Sequence, residues 1–220
     1  TLLLNNSINS LNELSKAHSE VELLKADTLM LRRSEKDFLL RKDMKYKKKF
    51  DDIVKHVHEE AEELIHHLNE FNLDVSKVKE FDLIIDNYKA KFFILVKKQK
   101  EIGLNPGDGL YSSLRNSVQE VQNVAKNSNN LKLLSSVYDL RKEEKDFMLR
   151  RDVKYVKSFE SKINLLISIS KNNIKQNLQT YKNDFLALVK AEREIGLDSK
   201  SGIIGNMRNV VHQTESLLEV

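Results

Sequence analysis

The sequence predicts an all-α fold, on three observations. Of 220 residues only one is proline and six are glycine, too few breakers for an all-β domain or a repeated strand–helix alternation. Hydrophobic residues make up 40% and charged residues 32%, the balance of soluble amphipathic helices. Apolar positions also recur at steps of threes and fours: Leu14, Val21, Leu24, Leu31, Phe38, Phe50, Ile53, Val57, Leu64 and Leu68 all fall on one such line.

That periodicity gives a first helix from about Leu2 to Asn69, stopped near Asn72–Ser76. A second runs over about Lys77–Ile102 and ends at the break Gly103–Gly109, which holds Pro106. A third covers about Leu110–Lys126, before the polar turn Asn127–Asn130. The remaining three are predicted at about Leu131–Lys171, Asn173–Ile195 and Ile203–Val220, with a break at Gly196–Gly202.

The six helices come in two copies. LRRSEKDFLLRKDMKYKKKFDD (31–52) matches LRKEEKDFMLRRDVKYVKSFES (140–161) at 13 of 22 positions with an offset of 109. The segment from Tyr88 to Val118 matches that from Tyr181 to Val211 at 14 of 31 positions with an offset of 93, so the first copy carries 16 extra residues between Phe50 and Tyr88. Counting residues along a common axis from Glu35 and Glu144 brings both glycine breaks beside both EKDF motifs. The expected architecture is therefore two stacked four-helix bundles sharing two long helices. One module would hold about 1–38, 110–146 and 203–220, and the other about 39–102 and 147–195.

Charge and composition exclude several functions. The 37 basic and 33 acidic residues are mixed along the chain, so no nucleic-acid partner is expected. The absence of cysteine removes disulfides, thiolate nucleophiles and Cys-based zinc sites together. No window approaches the run of apolar residues that spans a bilayer. Thr1 at the start and an apolar segment ending at Val220 read as the edges of a piece of something longer.

The residues that could carry chemistry are the charges on apolar seams. Glu35 falls between Leu31 and Phe38, and Glu144 between Leu140 and Phe147, so each carboxylate needs a partner. With Asp37 and Asp146 they are expected to form an ion-pair belt at a junction of the two modules. Eight arginines (Arg32, Arg33, Arg41, Arg115, Arg141, Arg150, Arg151 and Arg208) stand there against six acids (Glu35, Asp37, Asp43, Glu144, Asp146 and Asp152). The surplus guanidinium groups are candidates to hold a small anion, Arg208 and Arg115 first, with Asn209 and Asn116 as neutral donors and Arg32 and Arg33 nearby. Tyr88 and Tyr181 could line a small polar pocket with Tyr46 and Tyr155, although tyrosines on bundle seams are more often core.

The stretch from His56 to His67 contains the spacing Glu63–His66, but its counterpart in the second copy has neither His nor Glu, so no metal and no cofactor are expected. No nucleophile–base pair or phosphate loop appears, which makes an enzyme the weaker reading. Ile8, Leu11 and Leu14 form an apolar seam without an intrachain partner, which calls for a homodimer.

The doubled EKDFLLR/EKDFMLR segment, each with a following Asp and Tyr, in a six-helix pattern, resembles the helical bimodular sensor domains of bacterial chemoreceptors and sensor histidine kinases. The resemblance covers essentially the whole chain. It implies a periplasmic domain of an inner-membrane protein, such as a methyl-accepting chemotaxis protein, that binds a small organic acid and signals across the membrane. It also implies, as another partner, a periplasmic binding protein. Reading the chain without the resemblance leaves a helical scaffold that binds a protein as the rival.

Overall fold

The computed structural model describes residues 2–219, apart from the side chain of Asn6. Thr1 and Val220, both in the first expected module and the second of them in the last expected helix, lie outside the described residues. The chain is all-α, and the described residues form eight helices: α1 (Leu2–Arg41), α2 (Met44–Glu70), α3 (Ser76–Ile102), α4 (Gly109–Asn127), α5 (Leu131–Arg150), α6 (Val153–Ile169), α7 (Asn172–Ile195) and α8 (Gly202–His212).

Two of the expected six helices are therefore corrected. The expected helix Leu2–Asn69 is divided at Lys42–Asp43, and the expected helix Leu131–Lys171 at Arg151–Asp152. The two breaks are built alike. Lys42 (φ 53°) and Arg151 (φ 55°) take the left-handed conformation, and their N–H groups donate to the carbonyls of Phe38 and Phe147 at 2.7 Å in both copies. The following Asp43 and Asp152 then cap the next helix, each accepting the N–H two residues on at 2.9 Å. Each break is a reversal. Asp27 on α1 meets His56 on α2, and Asp139 and Glu143 on α5 meet Lys162 on α6.

These reversals also undo the expected division into modules. The chain falls into two compact units, residues 1–96 with 206–220, and residues 97–205. They differ from the expected 1–38, 110–146 and 203–220 against 39–102 and 147–195, because the count along a common axis took α1–α2 and α5–α6 as straight rods. The units do not follow the repeat. The fourth helix of the first copy, α4, belongs with α5, α6 and α7, and residues 206–212 of α8 belong with α1, α2 and residues 76–96 of α3.

In the first unit the core is Phe38, Phe50, Tyr88 and Phe92, with Phe50 and Phe92 stacked at 4.1 Å between ring centroids. In the second unit α4 packs on α5 and α7, and α6 on α5 and α7. Its core repeats the same four positions as Phe147, Phe159, Tyr181 and Phe185, with Phe159 and Phe185 centroids 4.4 Å apart. Burying such rings is worth roughly 1.5–3 kcal/mol each, so the four-ring cluster is the main apolar anchor of each unit. The 16 extra residues of the first copy mostly lengthen α2, which has 27 residues against 17 in α6.

The last expected helix also ends early, at His212. Residues 213–217 continue as tighter turns in which Gln213, Thr214, Glu215 and Leu217 each donate to the carbonyl three residues back. The Thr214 hydroxyl takes the Val211 carbonyl at 2.6 Å, competing with the helical ladder at that point. No described helix is long and apolar enough to cross a membrane.

Candidate functional site

The seam carboxylates find a different partner from the arginines expected of them. Tyr88 on α3 donates to Glu35 on α1 at 3.0 Å, and Tyr181 on α7 donates to Glu144 on α5 at 2.6 Å. Both phenols are fully buried, so Tyr88 and Tyr181 hold the core rather than line an open pocket. Burial raises the pKa of Glu35 and of Glu144, while the phenol and the nearby Arg32 or Arg141 pull it back. Arg32 and Arg141 sit one turn before their glutamates and act through space rather than through a direct ion pair. Neither Asp37 nor Asp146 closes an ion pair among the described residues, so the expected belt of paired charges is not built from these four acids.

An arginine does pair with a buried carboxylate elsewhere. In the second unit Arg151, at the α5–α6 reversal, donates to Glu192 at 2.9 Å and to the Gly196 carbonyl at 3.1 Å. Tyr111 adds a bond to the other Glu192 oxygen at 3.3 Å. Glu192 is 4% exposed, so this cluster fixes the end of α7 against the hairpin tip. At the same repeat positions the first copy has Lys42 and Gln99, the neutral amide donating to the Gly103 carbonyl at 2.8 Å.

The arginine candidates divide. Arg115 and Asn116 on α4, Arg33 on α1 and Asn209 on α8 are exposed, and Arg33 shares an open cleft of about 320 Å³ with Leu29, Arg32, Lys36 and Asp37 of the same helix. Arg208 is half-buried and its Nε donates to His212 at 3.4 Å. It belongs to the first unit, and Arg115 to the second. Arg32 lines that cleft and also a second cavity, on the side of the turns after α8.

That cavity, of about 320 Å³, opens in the first unit between α1 and the turns after α8. Lys25, Thr28, Leu29 and Arg32 form one stripe of α1, spaced so that they share a face. Val211, Thr214, Glu215, Leu218 and Glu219 close the other side. Thr28, Val211, Thr214 and Leu218 are buried and make a mostly apolar floor, since both hydroxyls are taken by carbonyls of their own segment, Leu24 and Val211. Lys25 is paired with Glu22 at 3.3 Å, and Glu215 with His212 at 2.8 Å. The Arg32 guanidinium closes no ion pair among the described residues. A half-buried guanidinium at the mouth of an apolar cavity suits a small molecule with one carboxylate and an apolar body.

No protein-family model, curated protein or solved structure matches this chain.

Sequence reasoning named Arg32 and missed the rest of the lining. Lys25, Thr28 and Leu29 were legible only as a helix face, and the 213–219 turns were read as helix. Arg141, at the position of Arg32 in the second copy, was one of a crowd of arginines. Its Nε is buried without a hydrogen-bond partner, which marks it as the second unit's unspent donor.

Proposed function

We propose that this chain is a ligand-sensing domain of a bacterial transmembrane receptor, on the extracytoplasmic side, and that it takes a small organic acid at the cavity beside Arg32. One observation carries the reading: the Arg32 guanidinium, half-buried and without a carboxylate partner among the described residues, faces a cavity of about 320 Å³ with an apolar floor. The resemblance of the doubled EKDF segment to helical bimodular sensor domains supplies the receptor context. In this reading each compact unit is one four-helix module, built from α1, α2, most of α3 and most of α8 in the first and from α4 to α7 in the second.

The mechanism follows from what the cavity joins. α1 lies on one side and the segment after α8 on the other, so a ligand that bridges Arg32 and the 211–219 segment favours one spacing between them. A ligand can shift that equilibrium only by its difference in affinity for the two spacings. A methyl-accepting chemotaxis protein is the parent proposed first, and a sensor histidine kinase second. The exposed apolar residues Leu4, Ile8, Leu11 and Leu14 of α1 favour one further element, a second copy of the chain packed along α1. They are also what favours the scaffold reading, in which a different protein takes that face.

The test is a thermal-shift panel of small mono- and dicarboxylates, amines and amino acids against the wild type and Arg32→Ala. A carboxylate at 100 times its dissociation constant should stabilise the wild type by about 2.7 kcal/mol, and Arg32→Ala should lose that shift. Arg115→Ala and Arg33→Ala should keep it. A panel in which only amines stabilise, or in which Arg32→Ala keeps the full carboxylate shift, overturns the reading.

A further inference from the structure

Three ionisable side chains converge across the α1–α2 reversal, away from the Arg32 cavity. Asp27 stands on α1, and His56 and Glu60 stand one turn apart on α2. His56 Nδ1 lies 3.0 Å from Asp27 Oδ2 and 3.4 Å from Glu60 Oε1. One donor atom from each of the three lies within 4.8 Å of the other two. Glu60 is only 8% exposed, and its second oxygen, Oε2, is buried without a hydrogen-bond donor. A buried carboxylate oxygen with nothing to accept from, on a residue whose other oxygen lies at this cluster, is missing a cation or a proton.

The two acids also crowd each other. Burial and the neighbouring Asp27 carboxylate push the Glu60 pKa up to about 7, against the opposing pull of His56. The cluster is distinct in form from the ordinary ion pairs of the same helix. His58 spends its two ring nitrogens on two different acids of α3, Asp82 and Asp86, so nothing converges there. At the Asp27 cluster both carboxylates approach a single nitrogen. The separations also fit a shared ion. Zinc bonds of about 2.0–2.2 Å to nitrogen and oxygen, at tetrahedral angles, put neighbouring donor atoms about 3.4 Å apart.

The repeat gives an independent check on whether the fold needs these residues. At an offset of 109, the second copy has Ser136, Leu165 and Ile169 in place of Asp27, His56 and Glu60, and its α5–α6 hairpin forms without them. The cluster is thus an addition to one copy rather than a requirement of the hairpin.

We propose that Asp27, His56 and Glu60 hold one divalent transition-metal ion of the zinc class, clamping α1 to α2. One imidazole with two carboxylates is a borderline donor set that suits zinc better than magnesium or calcium, which favour all-oxygen sites. Three protein ligands leave a fourth position for water or an outside donor on the side of His56, whose ring is more than half exposed. The sequence-based expectation of no metal weighed Glu63 and His66 and could not see Asp27 arriving from α1.

The experiment is a zinc titration of the full chain by calorimetry, with the imidazole resonances followed by NMR. The expected result is one equivalent of zinc, a shift confined to His56 among the ring signals, and at least about a tenfold loss of affinity in both His56→Ala and Asp27→Asn. His66→Ala, which removes an exposed ring that pairs with Glu70 away from the cluster, should bind as the wild type does. No binding, unchanged binding in His56→Ala, or a loss in His66→Ala as large as in His56→Ala overturns the proposal. The NMR shift reports on the wild type alone, so a misfolded variant does not remove the test.

Discussion

Tyr181 donates a 2.6 Å hydrogen bond to Glu144, and at the equivalent place in the other copy Tyr88 donates to Glu35 at 3.0 Å. The EKDF glutamate and the tyrosine that opens the second repeated segment are therefore one device, a carboxyl–phenol pair inside each helical unit. Replacing Tyr181 by Phe leaves the buried Glu144 without its donor, and Glu144→Ala leaves the phenol without its acceptor. Each should cost about 1–3 kcal/mol in chemical denaturation. Glu144→Gln keeps an oxygen for the phenol and should cost less than Glu144→Ala.

The same pair sets a pH dependence whose sign can be worked out. Glu35 and Glu144 have folded pKa values above their ordinary value of 4.5, chiefly through burial, so the folded state holds protons that the unfolded state has released. Stability from this source is present below pH 4.5 and is lost as pH rises through the folded values. The double variant Glu35→Gln/Glu144→Gln should show a flatter fall in stability above pH 4.5 than the wild type. An unchanged slope would mean that both carboxyls titrate as if in water.

A third prediction concerns the Arg151–Glu192 pair. Glu192 is buried while Arg151 is one-third exposed, so removing the guanidinium strands a buried charge with partial help from water. Arg151→Ala should cost about 2–3 kcal/mol, below the range for a fully buried pair because of that exposure. The first copy carries Lys and Gln at these positions, Lys42 and Gln99. Arg151→Lys with Glu192→Gln should therefore recover most of the loss, and a double variant as unstable as Arg151→Ala would show that the two copies are not interchangeable here.

How far the fold could be read from the sequence depends on which signal each element rests on. The helical class, both glycine breaks and the repeat were legible, because apolar spacing and glycine content report them directly. The reversals at Lys42 and Arg151 were not. Phe38 and Phe50 both point into one core, so the steps of three and four continue across the break, and periodicity records which face is buried but not which way the chain runs. The break itself sits on Lys and Arg in the left-handed conformation, a place where Gly or Asn is the usual signal. Asp43 and Asp152 were legible as helix caps only in hindsight. The site suffered from the same cause. Arg32 was found as a charge on a seam, but Asp27 beside His56, and Thr28 beside Val211, are neighbours only after the chain turns.

Backbone geometry gives a fourth prediction, with opposite signs at two positions. Gly196 has φ of 126°, and a Cβ there would overlap the Ser201 carbonyl oxygen. Gly196→Ala should cost more than about 2 kcal/mol, since strain and overlap add. Lys42 also has a positive φ but carries a side chain, so Lys42→Gly relieves the left-handed penalty of about 1–2 kcal/mol while adding unfolded-state entropy. Its net effect should lie between zero and a gain of about 1 kcal/mol, read as a shift in denaturation midpoint at constant slope.

The last prediction tests the second copy of the chain along α1. His67, near the end of α2, meets Glu20, so the residues of α1 before about position 17 run past the end of α2. On that stretch Leu4 and Leu11 are 65% and 66% exposed, and Ile8 and Leu14 are about half exposed. Spaced by threes and fours, the four share one face, and a two-fold partner would offer the same face in return. Sedimentation should show an association that strengthens with concentration and disappears in Leu4→Ser/Leu11→Ser. The double variant should keep its melting temperature when dilute, because neither side chain is buried in the single chain. A chain that stays monomeric at high concentration would rule out self-association through this face, while loss of folding in the double variant would show that α1 is packed within its own unit after all.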